Sequence, residues 1–462
     1  MNHILIVSYH FPPAGGVPVR RVLRILRHLP AHGWRCSVLT ADRPFDPFHG
    51  EDRAGLATLP PAERVLRAPA RSGLERALAR GFELLSGAGR RVGGEAQGGP
   101  AAGPAGAGLR RLLHETLTFP DAKRPWVRGA VALGRAAARE DPFDLVLATG
   151  FPWSSFLVAD RLRSSLGRPM VLDFRDAWTE NPRGLWTGPR NRRLEAELVS
   201  RAAAVVVATD WIRDHLRALY PRISPERFVT VTNGYDPAEQ PAPDTALRDP
   251  HHLVLAYTGT FNDALPPSRF DHTPYYLIEA IRRVPAETRA ALRVRLVGRV
   301  GPAYRAHVRA LGLEDVIEIV PPVAHTRALQ YQMAADALVL VVCDAPGSTA
   351  VLTAKLVEYV AAGKPILALA PDCEASRVVN AHKLGWVEPP ADVERIAKRL
   401  EALVQDWRGG TLGGGGLPGV PSLAASVQVE RLAEVLRRAL ASEAPSMTRA
   451  ETKAPGLRAS KE

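Results

Sequence analysis

The sequence predicts an α/β protein built of two doubly wound parallel-sheet domains that face each other across a cleft. A chain of 462 residues is too long for one ordinary core and suits two domains of about 150–250 residues. Apolar residues make up 46% and charged residues 23%, which are globular values. Short apolar runs alternate with helical patterns along most of the chain, and this alternation is typical of parallel sheets covered on both faces.

The first domain is predicted over residues 1–240. Apolar residues recur at helical spacing behind the first strand-like run. Residues 86–108 are rich in Gly, Ala and Pro and predict a mobile insertion, which we place at about residues 41–115. The strand-like runs are residues 4–7, 36–40, 145–149, 170–174, 205–208 and 228–231.

The second domain is predicted over residues 253–408, after a linker at 241–252. Its strand-like runs are residues 253–257, 294–298, 317–320, 338–342 and 366–369. A flexible tether at 409–426, an amphipathic helix at 427–441 that packs back on the body and a disordered tail at 442–462 complete the prediction. Two facing doubly wound domains place a ligand cleft between the carboxyl ends of their strands.

Several function classes are excluded by absent patterns. The mean hydropathy is -0.09 and no apolar run approaches about 18 residues, so no membrane span is expected. The start lacks the features of a signal peptide, which predicts a cytoplasmic protein. Three cysteines without paired spacing argue against zinc, disulfide and thiol-redox chemistry. We find no GxxxxGK[ST], no GxGxxG after the first strand, no HExxH, no GxSxG and no DxD metal clamp.

The positive charge is concentrated in the first half of the chain. Residues 1–240 hold 34 Lys+Arg against 24 Asp+Glu, whereas residues 241–462 hold 26 against 24. Such asymmetry suggests contact with nucleic acid or an anionic membrane, or merely an arginine-rich composition. No nucleic-acid motif is present. Because this half is basic and Arg20, Arg21, Arg24 and Arg27 crowd one short helix, we expect the first domain to meet an anionic membrane surface, unless its arginines are simply solvated.

Two local patterns suit an anionic ligand. Gly15 and Gly16 follow the first strand and open a helix, where backbone N–H groups can approach a phosphate or a sugar; a plain tight turn is the alternative. Lys355 lies in the first turn of a short helix, and Glu358 follows one turn later on the same face. Lys355 suits a diphosphate and Glu358 could accept from two ribose hydroxyls, although an ordinary capped helix with two surface charges would read the same.

The order of the motifs adds a resemblance. The chain reads ILIVSYHFPPAGGVPVR at its start, VLDFRDAW at 171–178, AAAVVVATDWIRDHL and VTVTNGYDP within 202–237, LAYTGTF at 255–261, VRLVGR at 294–299 and AKLVEYVAAGKPILAL at 354–369. This series resembles the GT-B fold, family 4 (glycosyl transferase group 1) retaining glycosyltransferases. The resemblance covers about residues 1–405, apart from the insertion, and the NGYD and KLVEYVAAGKP elements are its specific parts.

The resemblance implies a hexosyltransferase that uses a UDP- or GDP-linked sugar as donor, needs no cofactor or bound metal, and acts on a glycan or lipid-linked acceptor in envelope polysaccharide assembly. The donor would sit on the second domain and the acceptor on the first. By the same resemblance, Glu358 holds the ribose. The other donor-binding residues are Gly259, Thr260 and Lys355 at the diphosphate and Gly298 and Arg299 near the nucleoside.

In the first domain the resemblance marks Arg175, at a place where many members carry a His close to the transferred sugar. Asp176 beside it is a candidate for sugar or acceptor hydroxyls, and we predict both as catalytic. Arg175 could instead simply pair with Asp173 or Asp176. Asp121 and Trp126 resemble an acceptor-side motif of one branch of the family, and Asp121 joins Gly15 and Gly16 in the predicted acceptor or phosphate loop.

Two departures from the family pattern affect the donor site. The acid expected eight residues before Glu358 is replaced by Ala350, which leaves the sugar undetermined. Thr260 stands where an arginine is common, so Lys355, Arg299 or Arg269 would supply the missing charge. A GT-B-like sugar-nucleotide epimerase, a dinucleotide-dependent oxidoreductase and a catalytically impaired homologue with a binding role are the alternatives. The oxidoreductase lacks its glycine fingerprint.

Overall fold

The computed structural model describes residues 1–42, 62, 64–70, 119–179, 188–268, 270–412 and 420–443. These residues form two parallel sheets of seven and six strands. The first sheet contains β1 (Asn2–Val7), β2 (Trp34–Ala41), β3 (Arg64–Ala68), β4 (Leu145–Gly150), β5 (Met170–Phe174), β6 (Ala204–Val207) and β7 (Phe228–Thr230). The second contains β8 (Leu253–Thr260), β9 (Leu292–Arg299), β10 (Ile317–Val320), β11 (Ala337–Val341), β12 (Ile366–Leu369) and β13 (Gly385–Glu388).

Both sheets are covered by helices, as their apolar strands require. Residues Ile4, Leu5, Ile6 and Val7 of β1 are fully buried, because helices pack on both faces of the sheet. The helices are α1 (Val17–His28), α2 (Trp126–Glu140), α3 (Ser154–Leu166), α4 (Pro189–Arg201), α5 (Asp210–Leu219), α6 (Tyr275–Arg283), α7 (Ala286–Ala290), α8 (Pro302–Ala310), α9 (His325–Ala334), α10 (Ala354–Ala362), α11 (Glu374–Ala381), α12 (Val393–Arg408) and α13 (Ala425–Glu443).

The strand order locates a crevice in each domain. The first sheet runs β3-β2-β1-β4-β5-β6-β7 and the second runs β10-β9-β8-β11-β12-β13. The order reverses direction at β1 and β4 in the first sheet and at β8 and β11 in the second. Ligands of doubly wound sheets bind outside the carboxyl ends of the strands at such switch points. The predicted class of two doubly wound parallel-sheet domains is therefore confirmed.

The sequence prediction missed two strands, both at sheet edges. The range 41–115, treated as an insertion, contains β3, which pairs in parallel with β2 from Ser37↔Arg64 to Ala41↔Ala68; for this strand the prediction is wrong. An edge strand buries only alternate residues, and two of the five residues of β3 are arginines, so it lacks the continuous apolar run of a central strand. The other missed strand is β13, which pairs only with β12.

The helix predicted at 427–441 lies within α13 and packs on the first domain. Val429, Leu432 and Leu436 are buried among residues of β1 and α1. Main-chain hydrogen bonds fix its start, from Tyr235 N to Leu423 O at 2.9 Å and from Ala425 N to Tyr235 O at 2.7 Å. After crossing to the second domain, the chain thus returns to cover the first.

Several predicted segments lie outside the described residues: the glycine-rich segment 86–108, residues 413–419 of the tether and residues 444–462 of the tail. The predicted linker, residues 241–252, follows β7 of the first sheet and precedes β8 of the second in the sequence. Of the helices that the structure describes, none combines the length and hydrophobicity needed to cross a lipid bilayer.

Candidate functional site

Two glycines close the carboxyl ends of β8 and β9. Gly259 and Gly298 are register partners with φ angles of 146° and 133°, which L side chains rarely adopt. A Cβ on Gly298 would lie 2.0 Å from Gly259 O, and a Cβ on Gly259 would lie 2.5 Å from Lys355 Cε. Only glycine fits at either position, and the close approach places Lys355 directly over the end of β8.

Lys355 enters this turn from the start of α10. Thr353 caps the helix by accepting from Leu356 N at 3.3 Å, which fixes the first turn. The ammonium Nζ donates to the Tyr257 hydroxyl at 2.7 Å and lies 4.6 Å from the centre of the Tyr257 ring. Burial lowers the pKa of Lys355 to about 8, while the nearby Glu358 carboxylate opposes the shift. At neutral pH the group is therefore mainly a cation.

A neutral histidine lies behind this cation. Burial lowers the pKa of His272 to about 3, and the positive charge of Lys355 adds to the effect. The ring lies 3.1 Å from Val341 O through Nε2 and tilts against Phe261, which stacks on Tyr257. The positive charge at the β8 end thus belongs to Lys355 and not to His272.

Glu358 lies where the two domains meet. Gln332 Nε2 from α9 donates to Thr258 Oγ1 at 2.9 Å and approaches Glu358 Oε2 at 3.4 Å. Arg20 Nη1 from α1 of the first domain donates to Glu358 Oε1. The side chains of Arg20 and Glu358 are 20% and 16% exposed, so the pair remains open to a ligand. Sequence reasoning missed Gln332 altogether, because nothing in its helical pattern distinguishes it.

The remaining predicted donor residues lie around this pair. Thr260 and Arg299 are register partners at the very ends of β8 and β9, and both are exposed. The Thr260 carbonyl accepts from the Tyr257 hydroxyl at 3.1 Å. Arg269, the other candidate for the missing charge, lies outside the described residues. The ends of β8 and β9 thus bring together Gly259, Gly298 and Lys355. Glu358 follows one turn further along α10.

The glycine turn after β1 opens α1 as predicted. Gly16 is the N-cap of α1 with φ 92°, and Gly15 is buried. Arg21 anchors the helix by donating to both carboxylate oxygens of Asp173, at 2.9 and 2.7 Å, and to Val231 O at 2.9 Å. This buried network fixes the start of α1 against the end of β5.

The arginines of α1 are paired with carboxylates of the protein. All four bind acids of the protein: Arg20 pairs with Glu358, Arg21 with Asp173, Arg24 with Glu239 and Arg27 with Asp236. These ion pairs remove the arginines of α1 from the argument for a membrane contact, and contact of the basic first domain with an anionic membrane stays a prediction. Sequence spacing showed the arginines but not the carboxylates, which come from distant parts of the chain.

Arg175 is held by main-chain carbonyls. Its Nε donates to Gly150 O at 2.8 Å and its Nη2 donates to Phe151 O, while Nη1 is enclosed without a hydrogen-bond partner. Burial lowers the pKa of Arg175 to about 10, against the opposing charges of Asp176 and Asp173. The alternative pairing with Asp173 is not observed, since Arg21 occupies that carboxylate. Asp176 is exposed.

Asp121 is a buried capping residue. Its carboxylate accepts from Ser154 N at 2.8 Å, Ser154 Oγ at 2.9 Å and Lys123 N at 2.8 Å. Burial raises its pKa even though these hydrogen bonds oppose the shift. Asp121 therefore holds the start of α3, and contact with an acceptor stays a prediction.

The position of the missing acid has become apolar. Ala350 is 8% exposed and belongs to the buried aromatic cluster of the first domain, which includes Trp153 and Trp178. A residue of the second domain thus packs against the first domain where a carboxylate is usual in the resembled family.

Together these groups suit a nucleoside diphosphate. Lys355 and the first-turn N–H groups of α10 can bind phosphate oxygens, and the glycine turn lets them approach the backbone closely. Glu358 can accept from hydroxyls. In the part of the chain that the structure describes, no group of three or more His, Cys, Asp or Glu side chains is arranged to hold a metal ion.

The two facing domains and the site between them define a glycosyltransferase of the GT-B type. Residues 16–234 match the family described as "Glycosyl transferase 4-like domain", and residues 265–406 match "Glycosyl transferases group 1". The chain belongs with these glycosyltransferases, with one match for each sheet, although β8 precedes the second match. The sequence has no significant match among curated proteins.

Solved structures agree on the fold. Alr3699/HepE of Anabaena, solved in complex with UDP-glucose, is 16% identical with a TM-score of 0.59, covering 94% of this chain and 99% of that one. WaaG, a glycosyltransferase involved in lipopolysaccharide biosynthesis, is 16% identical with a TM-score of 0.54, and the match covers 94% of this chain and 99% of WaaG. A putative UDP-N-acetylglucosamine 2-epimerase from Listeria monocytogenes is 12% identical with a TM-score of 0.56, and the match covers 95% of this chain and 97% of the epimerase. At these identities the likeness concerns the fold alone.

Proposed function

We propose that the protein is a retaining hexosyltransferase that moves a sugar from a UDP- or GDP-linked donor to a glycan or lipid-linked acceptor. The observation that carries this proposal is the convergence of Gly259, Lys355 and Glu358 on the second domain, opposite Arg20 of the first. The solved complex of HepE with UDP-glucose supports the class of donor.

The chemistry depends on stabilising a leaving group. Breaking the anomeric C–O bond leaves a nucleoside diphosphate anion and an oxocarbenium-like sugar. Fixed donors aimed at the developing charge lower this barrier most. Lys355, the turn at Gly259 and the N-terminus of α10 supply them from the protein itself, so the reaction as proposed requires no cofactor and no metal. The acceptor hydroxyl then attacks from the same face, and the leaving phosphate takes its proton.

Arg175 and Asp176 act from the acceptor side in this proposal. Arg175 has a guanidinium Nη1 that is enclosed without a hydrogen-bond partner, so in this proposal the residue acts on the reacting sugar through its positive charge. Asp176 is exposed beside it and can accept from a hydroxyl. Both residues follow β5, at the carboxyl edge of the first sheet where ligands bind.

Turnover of nucleotide sugars tests the proposal. We expect slow release of UDP or GDP when the protein is incubated with UDP- and GDP-hexoses, since water can replace the acceptor. An Arg175→Ala protein should lose turnover with little change in nucleotide Kd. Interconversion of UDP-N-acetylglucosamine without release of UDP would identify an epimerase instead. Nucleotide binding without turnover of any donor would indicate a catalytically impaired binding protein. Absence of both binding and turnover would overturn the assignment to glycosyltransferases.

An acceptor at a membrane remains part of the proposal, with a new basic surface. Arg128, Arg135 and Arg139 on α2 are all exposed, and α2 packs on the sheet face opposite α13. Lys and Arg near an anionic leaflet contribute about 1 kcal/mol each. Assembly of an envelope polysaccharide on a lipid carrier, at the inner face of the cell membrane, would explain a basic acceptor domain. That WaaG is involved in lipopolysaccharide biosynthesis is consistent with this role.

Liposome flotation tests the membrane contact. We expect binding to anionic but not neutral liposomes at low salt, lost by about 0.5 M salt as the Debye length shortens. Changing Arg128, Arg135 and Arg139 to Ser should abolish it. The matched control changes Arg431, Arg437 and Arg438 of α13, which removes the same charge from the other face. Equal loss in both variants would reduce the effect to net charge.

A further inference from the structure

We infer that Arg20, a residue of the first domain, is a donor-site cation that binds the diphosphate of the nucleotide. The inference rests on the proposed function and names a residue of its site. Arg20 Nη1 reaches across the domain boundary to Glu358 Oε1. Among the described residues it has no acidic partner in its own domain, unlike Arg21, Arg24 and Arg27 on the same helix.

Arg20 is presented by a rigid support. It lies four residues after Gly16, the N-cap of α1. The neighbouring Arg21 locks the helix to Asp173 with two hydrogen bonds of 2.9 and 2.7 Å, and Arg24 Nε donates to Glu239 at 3.1 Å. A guanidinium held on such a base loses little further freedom when it binds a ligand.

The charge of the site requires a second cation. A nucleoside diphosphate brings at least two negative charges. Thr260 stands where an arginine would help Lys355 to balance them, and Arg299 is exposed at the end of β9. A partly buried charge without a partner is costly. Arg20 contacts Glu358, which lies three residues from Lys355 on α10, or about 4.5 Å along the helix axis. Its guanidinium is therefore close to where phosphates would lie between Lys355 and the ribose.

Donor binding would then exchange the partners of Arg20. In this structure its guanidinium donates to the Glu358 carboxylate. When ribose hydroxyls bind that carboxylate, the guanidinium is released to the adjacent diphosphate, where it can donate two parallel hydrogen bonds. Because Arg20 belongs to the first domain, the nucleotide becomes a charged link between the domains. Such a link couples donor binding to closure of the cleft.

Nucleotide binding by variants tests the inference. We expect Arg20→Ala to weaken binding of UDP or GDP, whichever the wild type binds, by about tenfold. Binding of the matching nucleoside should weaken by less than about threefold. Arg20→Lys should recover part of the loss. Arg27→Ala, which removes an arginine of α1 paired with Asp236, is the matched control and should change neither Kd.

A double-mutant cycle separates direct binding from support of Glu358. If Arg20 binds the diphosphate, Arg20→Ala weakens UDP or GDP again in a Glu358→Gln background. Loss of the effect in that background, equal losses for nucleoside and nucleotide, or tighter binding by Arg20→Ala would each overturn the inference. Failure of the wild type to bind either nucleotide would instead overturn the proposed function, and this inference with it.

Discussion

Replacing Lys355 by methionine is expected to weaken binding of UDP or GDP about 100-fold while the nucleoside alone loses little affinity. Charged hydrogen bonds contribute about 1.5–3 kcal/mol, and about 1.4 kcal/mol corresponds to a tenfold change in Kd. Methionine keeps the unbranched side chain over Gly259 and removes only the charge. Isothermal titration with UDP, GDP and the two nucleosides measures the difference.

A matched control is available on the same domain. Lys364 is also partly buried, and burial lowers its pKa. It lies beside Asp336 just before β12, at the amino ends of the strands, whereas Lys355 lies at their carboxyl ends. Lys364→Met should leave nucleotide Kd unchanged. Equal losses for nucleoside and nucleotide in Lys355→Met would indicate a disturbed fold rather than a lost phosphate contact.

The pH dependence of binding follows from the same lysine. Its pKa of about 8 must rise when an anion binds, because the anion favours the charged form. Affinity is therefore fully present below about pH 8 and falls as pH rises above it, by up to tenfold per unit. In Lys355→Met the decline between pH 8 and 9 should disappear. A decline that persists in this variant would assign the titration to another group.

Glu358→Ala is the second large effect that we expect. Removing a carboxylate that accepts two ribose hydroxyls should cost about 2–4 kcal/mol, using charged hydrogen bonds of about 1.5–3 kcal/mol each and allowing for non-additivity. Unlike Lys355→Met, this change should weaken the nucleoside as well as the nucleotide. The wild type should also prefer UDP or GDP to the 2′-deoxy analogue, and Glu358→Ala should lose that preference.

Glu374→Ala is the control for domain contacts in general. Glu374 of α11 accepts from Trp211 N of the first domain at 2.9 Å, so it joins the domains by a contact separate from the Arg20–Glu358 pair. Its replacement should leave the ribose preference intact. A Glu358→Ala protein with unchanged affinity and an unchanged preference for ribose would contradict the assignment.

The fold class and the relation of Lys355 to Glu358 could be predicted from the sequence, because both depend on local pattern. Continuous apolar runs between helical segments specify parallel strands. In a parallel sheet, the loops that follow the strands at the switch point lie together at the carboxyl ends, where ligands bind. Lys355 and Glu358 lie one helical turn apart on the same helix, so spacing alone sets their relation. Gly259 was marked only by the family resemblance, and its contact with Lys355 is a long-range one.

Edge strands and long-range pairs were decided only by the tertiary structure. The β3 strand carries arginines that a half-exposed edge tolerates, so its sequence differs from that of a central strand. The partners of Arg20, Arg21 and Arg27 lie more than 150 residues away in sequence. Periodicity reports which face of a helix a residue occupies, but not which carboxylate the fold brings to that face. For that reason the arginines of α1 suggested a membrane contact, whereas the folded chain pairs Arg20 with Glu358 of the second domain and the others with carboxylates of the first.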